Sequence, residues 1–491
     1  MFAAQIQGDQ SAWGMLDTEY KWVVLSNTTL GVLMSSIDTN IVLIALPTIG
    51  SQVRGMTTID LLWVLLGYQL VVATVLVNFG RLSDMFGRVR LYNLGFAIFT
   101  LGSGLCSISQ TPFELIGFRL VQATGSGFLF SNSAAIITDA FPVQERGMAL
   151  GINQISIVAG SVTGLIAGGF LTTLLGWRSI FWVNLPIGIF ATVWAHLKLR
   201  ELSSPTKAHN LDIAGNLTFA GGLIVLLLAI TLFAIAGLPV IYTSLLLGGA
   251  ALLFILFLYI ERIHDDPMFD LSLFRSHEFT AGNETIFLNA LARGSFILVM
   301  VFYLQGPIMR LNPLQAGLLL VPMSVSLSIM GPISGVLSDR FGQRFFVVGG
   351  LVLSSIGFLL MTRIAYGVSE LQIFAPLILI GAGMGIFASP NRASIMSSVP
   401  VYRRGIASGI STTLTNVGNT MSIGLAFLLM STTTSRKNLD SIFSGLPATG
   451  EKFSAITFIS SVHLVFYISA IMLLFSIFLY IYGMQRNAKK G

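Results

Sequence analysis

The sequence predicts an all-α integral membrane protein with fourteen spans, arranged as two six-helix bundles with two inserted central helices. Three observations support this prediction. The chain of 491 residues is 54% hydrophobic and 10% charged, and its mean hydropathy is +0.82. Apolar runs of about 20 residues, long enough to cross a bilayer, follow one another from end to end. A short charged motif also occurs twice in the chain.

The composition excludes several classes of protein. A soluble chain of this length needs far more charge to cover its surface. The net charge of +6 is interpreted as a topology signal and not as a nucleic-acid-binding surface. Cys106 is the only cysteine, so no intrachain disulfide is possible. Residues 1–21 carry Asp9, Asp17 and Glu19, which argues against a cleaved signal peptide and predicts a cytoplasmic segment.

Breaking the apolar runs at charges, prolines and glycines predicts the individual spans. They are 22–46, 61–79, 91–109, 113–138, 147–171, 178–197, 213–235, 239–260, 280–305, 314–337, 345–365, 371–396, 405–430 and 463–483. Most Lys and Arg residues lie in loops that face the cytoplasm if the N-terminus is cytoplasmic. An even number of spans returns the tail, residues 485–491, to the same side. We therefore predict a multi-pass protein of the plasma membrane with both termini cytoplasmic.

An internal duplication organises these spans. Gly80-Arg-Leu-Ser-Asp-Met-Phe-Gly-Arg-Val-Arg-Leu91 returns 255 positions later as Gly335-Val-Leu-Ser-Asp-Arg-Phe-Gly-Gln-Arg344. A second pair, Arg146-Gly-Met-Ala-Leu-Gly151 and Arg404-Gly-Ile-Ala-Ser-Gly409, keeps the order at an offset of 258. Many secondary transporters are built from such repeats. The charged hairpin follows the second span and then the tenth, so two helices are inserted between halves of six.

These positions predict the domain boundaries. An N-terminal bundle covers residues 22–198, and a linker with the two inserted spans covers residues 199–260. A C-terminal bundle covers residues 280–484. Of the two longer connections, residues 261–279 are predicted to form a cytoplasmic interfacial loop and residues 431–462 an outer loop. We expect both to be solvated connectors.

Several further motifs occur in an order that resembles a known family. They are Ile37-Asp-Thr-Asn-Ile-Val-Leu-Ile-Ala-Leu-Pro47, Leu62-Trp-Val-Leu-Leu-Gly-Tyr-Gln-Leu70, Arg119-x2-Gln122, Trp177-Arg-x2-Phe-Trp-Val-Asn-Leu-Pro-Ile-Gly188, Tyr303-Leu-Gln305 and Leu314-Gln-Ala-Gly317. With the hairpin, they resemble the major facilitator superfamily and, within it, the fourteen-span drug:proton antiporters, over nearly the whole chain. The resemblance implies the major facilitator fold and a proton-coupled exporter of drugs or other small amphipathic compounds, working by alternating access.

The fifth span departs from the pattern of that family. The Gly-Pro typical of its antiporter motif is absent, because Leu165 follows Gly164. In the fourth span, Gln122 is followed by Ala123 where the family has glycine. The remaining small residues of the fifth span predict a face for close helix packing. They are Gly160, Gly164, Gly168 and Gly169.

Two charges inside spans are predicted to couple transport to protons. A carboxylate at the centre of a span costs at least about 2.5 kcal/mol, so Asp38 is expected to face a cavity or a partner. Arg119 lies at a similar depth and can meet Asp38 if the first and fourth spans are neighbours, as in the resembled fold. Burial disfavours a charged carboxylate, whereas a neighbouring guanidinium favours it, and these opposed effects suit reversible protonation. The alternative is a permanent structural ion pair.

A third buried charge bears on the substrate. Arg293 falls opposite Asp38 at the 255 offset, which predicts one acid facing two arginines near the membrane midplane. Such a cavity suits neutral or anionic compounds better than a lipophilic cation. Asn289 lies one helical turn from Arg293, and the alternative is that Arg293 only pairs with this amide or with backbone carbonyls. The predicted cavity residues are Arg293, Asn289, Gln122, Tyr68 and Tyr303.

The hairpins and two further charges are predicted to form a cytoplasmic gate. Its residues are Gly80, Asp84, Gly87, Arg88, Asp139, Gly335, Asp339, Gly342, Arg344, Glu284 and Arg392. The resemblance implies that the hairpin charges lock the cytoplasmic ends of the two halves in the outward-facing carrier, with Asp139 as a further acceptor. Gly87 and Gly342 permit tight turns. Glu284 and Arg392 are interpreted as an inner gate pair or as side chains reaching the interface.

The sequence favours a transporter over other membrane proteins. No metal-ligand cluster or nucleophile–base arrangement is found, and the five histidines are scattered. The glycine-rich stretches lack a following Lys-Ser/Thr, so neither an ATP site nor a cofactor is indicated and the energy is expected from a proton gradient. The expected partners are protons, a small molecule and the lipid bilayer, with no nucleic acid and with function as a monomer. Transport of one specific metabolite or anion, by uptake or exchange, is the alternative, and a membrane sensor or enzyme is a third.

Overall fold

The computed structural model describes residues 18–142, 144–202, 212–264, 267–365, 367–400, 403–444 and 451–488. Within these residues the regular elements are all helical, as the composition predicts. Parts of the predicted segments lie outside the described residues. In the termini and connections they are residues 1–17 of the N-terminal segment, 203–211 of the linker, 265–266 of the cytoplasmic interfacial loop, 445–450 of the outer loop and 489–491 of the tail, and in the two bundles they are residues 143, 366 and 401–402.

The described residues form fourteen long helices. They are α1 (Thr18–Gln52), α2 (Thr58–Phe86), α3 (Arg88–Ile108), α4 (Pro112–Ala140), α5 (Arg146–Leu175), α6 (Ser179–Lys198), α7 (Ile213–Ala236), α8 (Val240–Ile263), α9 (His277–Gln305), α10 (Pro313–Phe341), α11 (Gln343–Met361), α12 (Glu370–Ser397), α13 (Arg404–Thr433) and α14 (Glu451–Ala488). Two short helices, Leu271–Arg275 and Arg436–Ser444, lie in the longer connections. Each predicted span falls on one long helix.

Thirteen of the long helices in the described part of the chain are apolar enough to cross a membrane. The exception is α4, which is 29 residues long but carries Glu114, Arg119, Gln122 and Asp139. It is packed between α1, α2 and α3, which bury the side chains of Arg119 and Gln122. Below, the end of the bundle with the α1–α2 connection is called the outer end, and the end with the α2–α3 hairpin is called the inner end.

Capping sequences begin two helices at the outer end. Thr111 and Glu114 form a capping box at the start of α4, and Asn312 and Gln315 form one at the start of α10. In each case a proline occupies the first turn, where its missing N–H costs no hydrogen bond. These local sequences therefore determine where the helices begin.

The two halves repeat the same close helix contact. A Cβ on Gly125 of α4 would lie 2.7 Å from the carbonyl oxygen of Gly95 on α3. In the second half, a Cβ on Gly383 of α12 would lie 2.6 Å from the carbonyl oxygen of Gly350 on α11. Separations this short do not accommodate a side chain, so both helix pairs depend on glycine. The duplicated sequence positions thus occupy equivalent places in the fold.

The inserted helices α7 and α8 lie beside the seam between the halves. They pack mainly on each other, and Phe219 of α7 stacks near Phe257 of α8 with ring centroids 5.1 Å apart. On its other side α7 contacts both α2 and α13. Asn216 Nδ2 donates to the carbonyl oxygen of Thr74 on α2. The inserted pair is therefore joined to both halves.

The prediction that both long connections are solvated is wrong. In the inner connection Met268, Phe269 and Leu273 are buried, and Phe269 packs near Phe219 and Phe257 of the inserted helices. The physical reason is that this connection contains apolar side chains that pack into the core, although charged residues lie beside them in the sequence. This connection is part of the folded core of the molecule.

The outer connection carries a second buried cluster. Leu439, Ile442 and Phe443 lie on one face of the helix Arg436–Ser444 because they are spaced three and four residues apart, and all three are buried. The Phe443 ring centroid is 4.0 Å from that of Phe302 on α9 and 4.6 Å from that of Phe427 on α13. This helix also contacts α1 and α2, so it covers the outer end between the halves.

The halves approach each other closely at the outer end. A Cβ on Gly169 of α5 would lie 2.6 Å from Leu314 Cα of α10, and Gly317 of α10 lies against the carbonyl group of Leu165. Gln305 Nε2 of α9 donates to the carbonyl oxygen of Ile44 on α1 at 2.9 Å. Nearer the inner end, the glycines at positions 151 and 331 have nothing within 4 Å of a Cβ. The glycines of α5 and α10 therefore make close contacts between the halves at the outer end and not nearer the inner end.

Candidate functional site

Asp38 lies near the middle of α1 and is completely buried. Its Oδ2 accepts a hydrogen bond from Arg119 Nη1 at 2.6 Å. Its Oδ1 accepts from Gln122 Nε2 at 2.8 Å and from Asn184 Nδ2 at 3.0 Å. The structure therefore brings Asp38 and Arg119 together and surrounds the carboxylate with donors, the arrangement in which an ionised carboxylate is most stable.

The guanidinium of Arg119 is held by two helices besides α1. The side chain is 1% exposed, and its Nη1 also donates to Gln122 Oε1 at 2.6 Å. Its Cζ lies 4.1 Å from the ring centroid of Tyr68 on α2, a distance typical of a cation–π contact. The hydroxyl of Tyr68 is buried. The ion pair thus connects α1 with α2 and α4.

Ser103 completes this polar cluster from α3. Its Oγ accepts a hydrogen bond from Gln122 Nε2 at 2.6 Å and lies 3.4 Å from Asn184 Nδ2. The close approach of α3 to α4 depends on Gly102, where a Cβ would lie 2.7 Å from the Gln122 backbone. We call Asp38, Ser103, Arg119, Gln122 and Asn184 the Asp38 cluster.

The four glycines predicted to form a packing face contact two different helices. A Cβ on Gly160 would meet Ser36 at 2.7 Å, one on Gly164 would meet the Ile37 carbonyl oxygen at 2.7 Å, and one on Gly168 would meet Ile41 at 3.0 Å. All three contacts are with α1, on either side of Asp38. Gly169 instead contacts α10 in the other half. One helix, α5, therefore touches both the segment that carries Asp38 and the opposite bundle.

A break in α9 marks the second site. The helix is interrupted at Gly294 and Ser295, near the middle of its length. The N–H of Ser295 donates to Ser422 Oγ on α13 at 2.9 Å, and Ser469 Oγ on α14 donates to the carbonyl oxygen of Ala292 at 2.6 Å. These hydroxyl groups satisfy backbone groups beside the interruption, as a break inside a membrane requires.

Arg293 immediately precedes this break and is partly exposed. Its Nε donates to Asn289 Oδ1 at 3.1 Å. No carboxylate among the described residues forms an ion pair with it. The expectation of one acid facing two arginines is not realised, because the donors of the Asp38 cluster occupy both oxygens of Asp38. The alternative contact, with Asn289, is the one observed.

Two residues predicted to line the cavity lie elsewhere. Gln122 is completely buried within the Asp38 cluster. Tyr303 is also completely buried, and its hydroxyl donates to the carbonyl oxygen of Ala365 in the α11–α12 connection at 3.2 Å. The prediction for Tyr303 is wrong because it lies on the outer segment of α9, which packs into the core.

The first hairpin contains a connected set of charges. Arg88 Nε donates to Asp84 Oδ1 at 2.7 Å, and Arg88 Nη1 lies 2.8 Å from both oxygens of Asp139 on α4. Gly87 has a φ of +104°, a conformation that side chains disfavour, and this allows α2 to turn directly into α3. The carboxylate of Glu201 accepts from backbone N–H groups at the start of α3, including that of Arg88 at 2.8 Å. Gly80 has nothing within 4 Å of a Cβ.

The second hairpin repeats the turn but not the ion pairs. Gly342 has a φ of +91°, yet Asp339 is exposed and makes no ion pair with any described residue. Arg344 Nη2 donates to the carbonyl oxygen of Met484 on α14 at 3.2 Å. The prediction of an equivalent charged gate here is wrong because Gln343 stands where the first hairpin has Arg88. A Cβ on Gly335 would lie 2.7 Å from Ser389 Oγ on α12.

Glu284 and Arg392, interpreted as a possible gate pair, are not brought together. Both side chains are exposed, and no ion pair joins them in the described structure. The contact between α9 and α12 is instead made by Asn391 Nδ2, which donates to the Gly282 carbonyl oxygen at 3.1 Å. The alternative, that the two charges reach an interface, agrees with their exposure.

The arrangement of helices agrees with comparisons against known proteins. The sequence profile of the Major Facilitator Superfamily matches residues 28–275 and 285–491. The chain belongs to the major facilitator superfamily. Members of this superfamily are membrane-embedded transporters of small molecules, so this chain is a transporter and not an enzyme. Among the described residues no group of His, Cys, Asp and Glu is suited to hold a metal ion.

Two curated relatives in the superfamily cover most of the chain. The riboflavin transporter RibZ of Clostridioides difficile is 33% identical over 412 residues, which are 83% of this chain and 87% of the relative. The multidrug resistance protein Stp of Mycobacterium tuberculosis is 32% identical over 407 residues, which are 83% of this chain and 75% of the relative. The family relationship therefore includes proteins named for a vitamin and proteins named for drug resistance.

The fold is similar to solved structures of the superfamily. A bacterial homologue of the human lysosomal transporter Spinster, in an inward-facing and unoccupied conformation, matches with a TM-score of 0.70. The match covers 96% of this chain and 98% of that one at 15% sequence identity. At this identity the likeness shows the major facilitator fold alone.

Two polar residues of this superfamily member were missed from its sequence. Asn184 lies within the motif Trp177–Gly188, so its polar amide in an apolar run was a usable signal. Ser103 carries no comparable signal, because serine occurs in many helices for packing. Only the closeness of α3 and α4 at Gly102 shows that its hydroxyl contacts Gln122.

Proposed function

We propose that this transporter exports drugs or other small amphipathic compounds across the plasma membrane in exchange for protons. In this proposal it acts as a monomer by alternating access, with both termini in the cytoplasm. The observation that carries the proposal is the completely buried pair of Asp38 and Arg119. A buried carboxylate with a single cationic partner is a site where adding one proton changes the local charge.

Protonation of Asp38 has a structural consequence in this geometry. The ionised carboxylate accepts hydrogen bonds from three side chains, and a proton on the carboxyl group removes the negative charge that strengthens all three. Arg119 then becomes a buried charge without compensation, which is strongly unfavourable. To lower the free energy of this buried charge, α1 must shift relative to α4, or the guanidinium must reach water. Proton binding would therefore favour a different arrangement of the helices.

Helix α5 offers a direct route from this site to the contact between the halves. Gly164 lies against Ile37, the residue before Asp38. The next residue, Leu165, presents its carbonyl group to Gly317 of α10 in the other half. Because both contacts are made through backbone atoms, a shift of α1 displaces α5 and is passed to α10. In this proposal the displacement opens and closes the outer end.

The charges of the first hairpin would support this movement at the inner end. Arg88 connects α3 with Asp84 on α2 and with Asp139 on α4, so the inner ends of three helices are tied together. We assign these residues to a cytoplasmic gate that moves as one unit. The second hairpin lacks such pairs and would serve as a turn.

The proposal is tested by replacing Asp38 in purified protein reconstituted into proteoliposomes. Asp38→Asn should abolish transport driven by a pH gradient, because the side chain no longer binds a proton. Asp38→Glu should retain part of the pH response, since the carboxyl group is kept. Glu370→Gln is a matched control at an exposed acid on α12 and should transport as the original protein does.

Folding and coupling can be separated in this experiment. Each variant is compared by size-exclusion profile and by thermal unfolding, so loss of transport in folded protein is attributed to coupling. Pumping by Asp38→Asn that still responds to the pH gradient would contradict the proposal. In that case the buried pair is a structural ion pair.

A second candidate function is transport of one defined metabolite by uptake or exchange. The relative named as a riboflavin transporter favours it, because it matches at 33% identity over most of both chains. The two candidate functions differ in the range of compounds that the protein would transport. Everted vesicles tested with riboflavin and a panel of unrelated dyes should accumulate several dyes if the protein is a multidrug exporter. Accumulation of riboflavin alone would support the metabolite transporter.

A further inference from the structure

We propose that the break in α9 forms a subsite for an anionic group of the transported compound, with Arg293 and Asn289 as its ligands. The inference rests on the proposed function, because it names the class of substrate for the same transporter. The substrates would be amphipathic compounds with a carboxylate, a phenolate or a similarly charged oxygen.

The two side chains present hydrogen-bond donors only. A guanidinium cannot accept a hydrogen bond, so the Asn289 atom that contacts Arg293 Nε must be the amide oxygen. This contact fixes the orientation of the amide and leaves its Nδ2 as a donor. Nδ2 is buried and has no hydrogen-bond partner among the described residues, and Asn289 is only 4% exposed. A bound anion would supply the acceptor that this donor lacks.

The position of Arg293 makes an uncompensated charge costly. It lies near the middle of a membrane-spanning helix, where charged side chains usually face a cavity and find a partner. Among the described residues the protein offers it an amide and no carboxylate. Its guanidinium is partly exposed and not sealed in the core. A ligand that approaches the break in α9 can therefore reach it.

The backbone groups at the break are not available to pair with Arg293 or Asn289, because they already have hydrogen-bond partners. The N–H of Ser295 is bonded to Ser422, and the carbonyl group of Ala292 is bonded to Ser469. The inner segment of α9, His277–Arg293, ends where the outer segment, Phe296–Gln305, begins, so opposite ends of two helix dipoles meet at the break and largely cancel. The charge of Arg293 is therefore what attracts anions to this region and repels lipophilic cations.

Two dyes with the same ring system and opposite charge provide the test. Fluorescein is anionic and rhodamine 123 is cationic, and both are built on xanthene. Binding to the purified full-length protein is measured by fluorescence anisotropy at one fixed pH, and transport of each dye is measured in proteoliposomes. We expect the original protein to bind fluorescein more tightly than rhodamine 123.

Substitution of Arg293 should reverse this preference. Arg293→Gln should weaken fluorescein binding by roughly tenfold to a hundredfold, the loss of one charge-assisted hydrogen bond. Its binding of rhodamine 123 should be unchanged or stronger. Arg293→Lys keeps the charge and should keep part of the fluorescein affinity. An unaltered ratio of affinities in Arg293→Gln, or no fluorescein binding by the original protein, would overturn the inference.

The outcomes for the subsite and for the transporter are distinguishable. Fluorescein binding that depends on Arg293, without pH-driven transport, supports the subsite and contradicts proton-coupled export. Transport of rhodamine 123 driven by pH, without fluorescein binding, supports export and contradicts the subsite. Size-exclusion profiles of the Gln and Lys variants confirm that each is folded.

Discussion

The two halves of the molecule share their packing but differ in chemistry at equivalent positions. The glycine contacts between α3 and α4 recur between α11 and α12. The Asp38 cluster does not recur. At the offsets of 255 and 258, the positions of Ser103, Arg119 and Gln122 are occupied by residues that are apolar and buried. These are Phe358, Leu377 and Ile380.

The position of Asp38 is charged in both halves, but the sign of the charge changes. Arg293 stands in the second half where Asp38 stands in the first. Asp38 is enclosed by donors, whereas Arg293 has one amide contact and remains partly exposed. The two halves of the duplicated fold therefore share their helix packing but differ in the chemistry of their buried charges. In our proposals the first half binds the proton and the second half binds the substrate.

The largest effect is expected when Arg119 in the first half is replaced by leucine, the residue that the second half has at the equivalent position 377. Arg119→Leu leaves Asp38 buried and unpaired, so the free energy of unfolding should fall by about 3–5 kcal/mol. Transport should be lost as well. The measurement is chemical or thermal unfolding in detergent. The double variant Asp38→Asn, Arg119→Leu removes both charges and should recover part of the stability. A single variant as stable as the original protein would show that the pair is not important for folding.

The next effect concerns the contact between the halves. Gly317→Val places a side chain against the carbonyl group of Leu165 and should lower the transport rate roughly tenfold to a hundredfold, the rate equivalent of 1–3 kcal/mol of overpacking. Spin labels on the outer ends of α5 and α10 should report a larger separation. Gly331→Val is the matched control on the same helix, because a Cβ there meets nothing within 4 Å. Equal transport by both variants would contradict closure through this glycine contact.

The smallest effect compares the two hairpins. Arg88→Gln introduces the residue that the second hairpin already has and removes contacts to Asp84 and Asp139. Because these charges are partly exposed, the free energy of unfolding should fall by only about 1 kcal/mol, and less at high salt. Arg344→Gln should change it by less than about 0.5 kcal/mol, since only a carbonyl contact is lost. The unfolding of both variants is compared at two ionic strengths. Equal losses would show that the hairpins are equivalent.

Much of the fold could be predicted because its determinants are local or repetitive. Apolar runs of membrane length predicted fourteen spans, and each falls on a long helix. The twelve-residue hairpin and its copy indicated the duplication. The outer connection could not be predicted in the same way, because the apolar face formed by Leu439, Ile442 and Phe443 covers only one turn. So short a face does not stand out in sequence.

The candidate site was predicted in part for a similar reason. Charges inside apolar runs are rare, so Asp38, Arg119 and Arg293 stand out in the sequence. Their partners do not, because amides and hydroxyl groups are common in helices. Glu284 and Arg392 also stand out as charges, yet they are exposed and apart. A charge in a span thus identifies a candidate but not its partner.

By itself, the sequence determined that this protein crosses the membrane, that its halves are copies, and that Asp38 and Arg293 occupy equivalent positions with opposite charge. These properties depend on composition and on order along the chain. Only the tertiary structure decided that Asp38 is enclosed by α3, α4 and α6 while Arg293 is left with Asn289 at a break in α9. The physical reason is that hydrogen bonding acts over about 3 Å. At that range, the relative placement of separate helices decides which polar side chains are satisfied.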